Sequence, residues 1–135
     1  MQMKKLLFLI LAGLGSFDGI AANAATISLK CDRYKDYYIL AFESSGGDAD
    51  VILHDDAEGD KRFIGTAKLT PGIATISFSE PKGSSVKLIH ILNIDRSSLE
   101  FSGSKIMTSA NFGDTNIPID GTCKITKIPQ KVNKF

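Results

Sequence analysis

The stretch VKLIHILNIDRSSLEF, Val86 to Phe101, decides how the chain folds. Val86, Leu88, Leu92 and Ile94 alternate along one face, while Ile89 and Ile91 make the opposite face apolar too. A two-residue period is that of a strand, and apolar residues on both faces predict burial on both sides in mid-sheet. Asp95-Arg96-Ser97-Ser98 reads as a turn, because Asp and Ser side chains bond nearby backbone groups in such positions. Leu99 and Phe101 then send a partner strand back over the same core.

Upstream, the alternation weakens only at turn residues. Ile27, Leu29 and Cys31 share one face of a first strand, and Tyr38, Leu40 and Phe42 one face of a second. Val51 to His54 reads as a short strand entering an acidic loop, Asp55 to Asp60. Phe63, Gly65, Ala67 and Leu69 alternate before Thr70-Pro71-Gly72-Ile73, which has the Pro and Gly placement of a type II turn. Facing Thr70 with Ile73 sets Leu69 against Ala74, Ala67 against Ile76 and Gly65 against Phe78, with both apolar sets on one side. Type II is not the favoured two-residue hairpin turn, so a wider loop is the alternative there.

Downstream of Phe101, Ser102-Gly103-Ser104 reads as a break. Lys105 to Thr108 reads as a short edge strand, Asn111 to Asp120 as a loop, and Gly121 to Ile128 as a last strand ended by Pro129. Short strands, frequent turns and no helical periodicity after the N-terminal segment predict an all-β fold, a small antiparallel sandwich or barrel of about eight strands.

The first residues read as an address label. Lys4 and Lys5 precede the apolar run Leu6 to Leu14, and Ala22-Asn23-Ala24 supplies a small-residue cleavage site. Residues 1–24 are therefore expected to be a cleaved signal peptide, residues 25–128 one β domain and residues 129–135 a flexible basic tail. No apolar run approaches the roughly 20 residues that a membrane-spanning helix needs, so the mature form is expected not to span a membrane. No Cys directly follows the cleavage site, which argues against a lipid anchor. The 16 basic and 15 acidic residues lose Lys4, Lys5 and Asp18 with the label, which leaves the charge near balance. That gives no electrostatic case for nucleic acid as a partner.

Export places the two cysteines, Cys31 and Cys123, in an oxidising compartment, periplasmic or secreted, where an isolated pair forms one disulfide. The bond would tie the first strand to the last. A redox or metal pair would show closer spacing and companion ligands.

Each chemistry-bearing residue has a structural alternative. His90 lies between Leu88 and Leu92 on the apolar face, as a hydrogen-bonded core histidine would. His54 beside Asp55 and Asp56 suggests general-base chemistry, but no G-x-S-x-G elbow supplies a nucleophile. Asp48, Asp50, Asp55, Asp56, Glu58 and Asp60 offer oxygen ligands for calcium, yet fit no EF-hand spacing. A solvated loop that keeps a neighbouring edge strand from pairing with other chains is the favoured reading. No metal site and no cofactor is expected. Tyr34, Tyr37 and Tyr38 cluster near the first turn as a recognition patch would, or as packing at one end of the fold.

Two resemblances follow from particular residues. Ile94-Asp95-Arg96-x-Ser98, Gly121-Thr122-Cys123-Lys124 and Asn133-Lys134-Phe135 look like parts of small uncharacterised exported bacterial β proteins, which implies no activity. Leu29-Lys30-Cys31-Asp32 and Ser102-Gly103-Ser104-Lys105 resemble the early cysteine and the inhibitory loop of periplasmic inhibitors of C-type lysozyme, small disulfide-containing β-barrels. That resemblance implies partner contact through Ser104 and Lys105. It departs from the family at Ile106 and Met107, where an aromatic residue belongs, and in lacking Trp.

The resulting expectation is a non-enzymatic exported binding module for an unknown protein or envelope ligand, with Ser102, Ser104, Lys105 and Tyr37 as candidate partner-binding residues. The alternatives are lysozyme inhibition and a small hydrolase using His54.

Overall fold

Eight strands form in chain order, each held to the next by a short turn. They are β1 (Thr26–Asp32), β2 (Tyr37–Glu43), β3 (Gly47–Asp55), β4 (Gly59–Leu69), β5 (Ile73–Pro81), β6 (Val86–Asp95), β7 (Glu100–Ser109) and β8 (Gly113–Ile125). The computed structural model describes residues 25–111 and 113–127. The expected signal peptide and basic tail lie outside the described residues. All neighbours are antiparallel, and β8 returns to β1, so the sheet closes into an up-and-down barrel. Of the two architectures anticipated, the barrel is the one formed.

Cys31 lies directly opposite Cys123 across the closing seam, with their Cα atoms 3.9 Å apart, and the two form a disulfide. The seam itself is short, running from Leu29 against Ile125 to Asp32 against Thr122. Inward-facing Leu40, Val51, Ile76, Leu92 and Ile94 fill the barrel with Tyr38, Phe78 and Phe101. This leaves a packed interior of the kind an eight-stranded barrel can just accommodate.

The β6 stretch forms the expected strand and pairs on both sides. Its second apolar face is not buried as anticipated. Ile89 and Ile91 stand half-buried on the outer wall, where Ile89 pairs laterally with Ile106. In a one-layer barrel no second layer exists to cover them. Asp95 accepts from the amides of Ser97 (2.8 Å) and Ser98 (3.0 Å), which makes the turn the sequence indicated.

In the β4–β5 hairpin Thr70 N–H bonds Ile73 O, and Leu69 faces Ala74 and Ala67 faces Ile76, so the tight register is correct. The turn is not type II, since Gly72 lacks the positive φ that type requires. The ladder stops at Thr66 against Ser77, one pair short of Gly65 and Phe78. Beyond it, side chains bridge the strands: Phe63 stacks on Phe78 with centroids 5.1 Å apart, and Lys61 Nζ reaches Glu80 Oε2 at 2.7 Å.

Two expectations fail on the last hairpin. Ser102–Ser104 is no break, because β7 runs unbroken from Glu100 to Ser109 and pairs on both sides. Gly103 serves close packing instead, for a Cβ there would lie 1.8 Å from Ile91 O. The supposed loop before Asp120 is the first half of β8, which pairs with β7 from Gly113 onward. Pro118 fits there because this half has β7 on one side only, its seam with β1 beginning at Thr122.

Candidate functional site

The barrel has two unlike ends. One carries the turns after β1, β3, β5 and β7, and its interior is polar. The other carries the turns after β2, β4 and β6, and its interior is apolar.

At the polar end the alternation of β2, β5, β6 and β7 points Tyr38, Glu80, His90 and Lys105 inward. His90 is fully buried, and Phe78 stacks on its ring at 4.3 Å. Its Nε2–H donates to Glu80 Oε1 at 2.9 Å, and the Tyr38 hydroxyl donates to Nδ1 at 3.1 Å. Because a carboxylate only accepts, Nε2 carries a proton, and burial favours the neutral ring, whose Nδ1 then accepts from Tyr38. Burial pushes His90 below its ordinary value, against the raising effect of Glu80. Burial likewise pushes Tyr38 up to about 12. Burial alone would raise Glu80, but hydrogen bonds from Lys61 and His90, together with the Lys61 charge, hold it below the usual carboxylate value. Lys61 also bonds Glu58, and these two carboxylates hold its ammonium above the usual lysine value. Lys105 reaches Asp36 at 3.9 Å, and burial lowers its ammonium. The whole assembly reads as a polar plug, with each buried group partnered.

The plug sets the pH response. His90, with its native value depressed, contributes stability that is present above its unfolded value of 6.5 and lost as the pH falls below it. Glu80, also depressed, adds stability above 4.5 that is lost as the pH falls through its native value. Lys105 and Arg33 face the imidazole and oppose its protonation. Urea unfolding should therefore show stability falling from about pH 6.5 downward, and His90→Gln should remove the upper part of that fall.

The apolar end carries a depression floored by the buried core residues Leu29, Phe42, Ala74 and Ile94. Ile27, Leu29, Phe42, Leu69, Ala74 and Ile94 line a mouth of about 260 Å³, with Leu99, Ile125 and Arg96 at its rim. Leu99 has φ of 64°, a left-handed backbone that costs a non-glycine residue about 1–2 kcal/mol. Two bonds hold it there: Leu99 N–H to Asp95 O at 2.8 Å and Cys123 N–H to Leu99 O at 2.7 Å. The side chain this fixes lies at the mouth and packs against the core.

The candidate partner-binding residues do not converge. Ser102 and Ser104 lie on the outer face of β7, and Lys105 points into the plug. Ser102 borders a shallow outer groove of about 570 Å³ with Asn93, Glu100, Asp120 and Thr122. None of the three projects on a loop, because β7 runs unbroken through them. Tyr37 stacks on His54 at 4.5 Å under the Lys30 ammonium. The expected tyrosine cluster separates: Tyr34 is 93% exposed, Tyr38 is buried and Tyr37 lies on the outer wall.

Of the two neighbouring aspartates His54 reaches Asp56, with Nε2 4.0 Å from Oδ1, and not Asp55. Its Nδ1 lies 2.6 Å from Asp60 Oδ1, across the strand pair. Asp55 instead accepts from the amides of Ala57 and Glu58. Turn chemistry and ion pairing disperse the acidic cluster, with Glu58 facing Lys61 and Lys82. Among the described residues no three His, Cys, Asp or Glu side chains gather as a metal site, and no helix is long and apolar enough to cross a membrane.

The sequence signalled His90 as a hydrogen-bonded core histidine, but neither its charged plug partners nor the mouth. Lys61, Glu80 and Arg96 looked like ordinary surface charges, and only the inward parity of β4 and β5 would have placed the first two inside.

Fold and site together define a closed eight-stranded antiparallel barrel with a polar plug at one end and an apolar mouth at the other. Compared with protein-family models, curated proteins and solved structures, the chain matches none.

Proposed function

We propose that the protein is an exported, non-enzymatic binding module, periplasmic or secreted, that takes a small apolar ligand or chain end into the mouth beside Leu99. The observation that carries this reading is an apolar depression at one end of a closed barrel whose other end is filled by partnered polar groups. The mouth is somewhat smaller than the roughly 300–1,000 Å³ of ordinary ligand pockets, which suits one end of a ligand. The outer groove is larger, but it presents hydroxyls and carboxylates to water, and desolvation offers a ligand less there. The disulfide is compatible with an oxidising compartment.

The test is titration with the neutral fluorophore N-phenyl-1-naphthylamine. Fluorescence should rise saturably with the native protein and fail to rise with Ala74→Leu, whose side chain would fill the mouth. Circular dichroism and thermal unfolding of that variant would establish that its fold is intact. Absence of any saturable rise with the native protein would overturn the reading.

The His54–Asp60 pair supports the hydrolase alternative. Its Nε2 faces Asp56 at 4.0 Å, an acidic neighbour and not a nucleophile. Turnover on a broad substrate panel that is abolished by His54→Ala would favour it. Lysozyme inhibition requires Ser104 and Lys105 to enter a cleft, and their strand position argues against that. A bacteriolysis assay at large molar excess of the protein should show no inhibition.

A further inference from the structure

We infer that the ligand of the mouth is an anionic single-chain amphiphile, with its chain end among Phe42, Leu69 and Ile94 and its head group on Arg96. This rests on the mouth being a binding site and adds the ligand's chemical class.

Arg96 is the charged residue in the lining of an otherwise apolar opening. Its place is fixed twice, by its own N–H to Gly72 O at 3.0 Å and by Nη1 to Thr70 O at 2.5 Å. A guanidinium has five N–H donors in a planar fork, and the Thr70 bond uses one of them. The planar fork suits a carboxylate or a phosphate monoester. Asp95 accepts two turn amides on the outer side, where it borders the outer groove, and Glu43 accepts from Thr26 Oγ1 at 2.8 Å. Accepting from neutral donors leaves both carboxylates charged, but Asp95 lies on the outer side, and Arg96 is the charged group within the lining itself, so the opening sets a guanidinium beside apolar surface, the two-part complement of an anionic amphiphile.

The polarity of the barrel excludes the opposite pose. A head group entering first would meet Phe42, Ala74 and Ile94, which offer no side-chain donor, and would have to shed its water uncompensated. A chain entering first loses water from apolar surface only, and the charged end stays at the solvent boundary beside Arg96.

The test is calorimetric titration below micellar concentrations with dodecanoate, dodecyl phosphate, dodecanol and dodecyltrimethylammonium, on the native protein, Arg96→Gln and Arg96→Lys. Dodecanoate, dodecyl phosphate or both should bind more tightly than dodecanol, and the cationic probe should bind weakest. Arg96→Gln should cost the anionic probes about fivefold or more and leave dodecanol unchanged, and Arg96→Lys should restore most of the loss. Which anion wins identifies the head group as carboxylate or phosphate. Equal binding of dodecanol and the anions, or tightest binding of the cation, overturns the amphiphile inference while the mouth remains a site. No binding by any probe overturns both. Amide shift changes confined to Phe42, Leu69, Ile94 and Leu99 should accompany binding, and changes centred on His90 would place the ligand elsewhere and overturn it.

Discussion

Gly103→Ala should unfold the protein or cost it on the order of 3 kcal/mol or more. The added Cβ would sit 1.8 Å from the Ile91 carbonyl oxygen and within 3.2 Å of Leu92 Cα, all of it backbone. Rotating a side chain cannot relieve that contact. The only relief is to separate β6 from β7, which are paired from Val86 and Ser109 to Ile94 and Phe101. Opening that ladder would expose Leu92 and Ile94, both essentially buried. Gly72→Ala is the matched control, since nothing lies within 4 Å of the new methyl and its φ is not left-handed. It should change stability by no more than about 0.5 kcal/mol. Chemical denaturation of both variants reads the contrast, and equal stability of the two would mean that β6 and β7 do not approach as described.

Removing the disulfide should have an effect of similar size by a different route. Cys31 and Cys123 are 92 residues apart in sequence, and closing a loop of that length lowers the entropy of the unfolded chain by the equivalent of about 4–5 kcal/mol. The double variant Cys31→Ala, Cys123→Ala should lose most of that, with the additional loss of buried sulfur at the seam. The seam has only four residue pairs, so little else compensates. Unfolding measured with and without reductant on the native protein, beside the double variant, checks the point. A reduced protein as stable as the oxidised one would show that the seam holds without its covalent link.

Much of the fold was legible because local chemistry agreed with tertiary structure. The Asp95 turn, the register at Leu69 and Ala74, the cysteine pair and the inward histidine on β6 all follow from side-chain type and a two-residue period. The misreadings share one physical cause. Gly103 and Pro118 resemble punctuation when judged one residue at a time, yet each has a positional role inside a strand. One permits close strand approach, and the other occupies a half-paired edge. Barrel closure itself also misled, because an apolar outer residue such as Ile91 looks like evidence for a second layer that does not exist. The sites were least legible. Glu80, beside a proline and a turn, gave no sign that it would be buried with His90, and Arg96 looked like one more polar turn residue.

The half-paired stretch of β8 has a consequence for how copies of this molecule behave at high concentration. Cys123 N–H donates to the O of Leu99, just before β7, so by alternation the nitrogens of even-numbered residues in β8 turn the other way. Pro118 lies among them, so the exposed row lacks a donor at its middle, with Asp114 and Asp120 on either side. A strand from a second molecule trying to extend the sheet would find a missing rung and two like charges. Growth into fibrils is thereby discouraged along this bare margin of the closed wall.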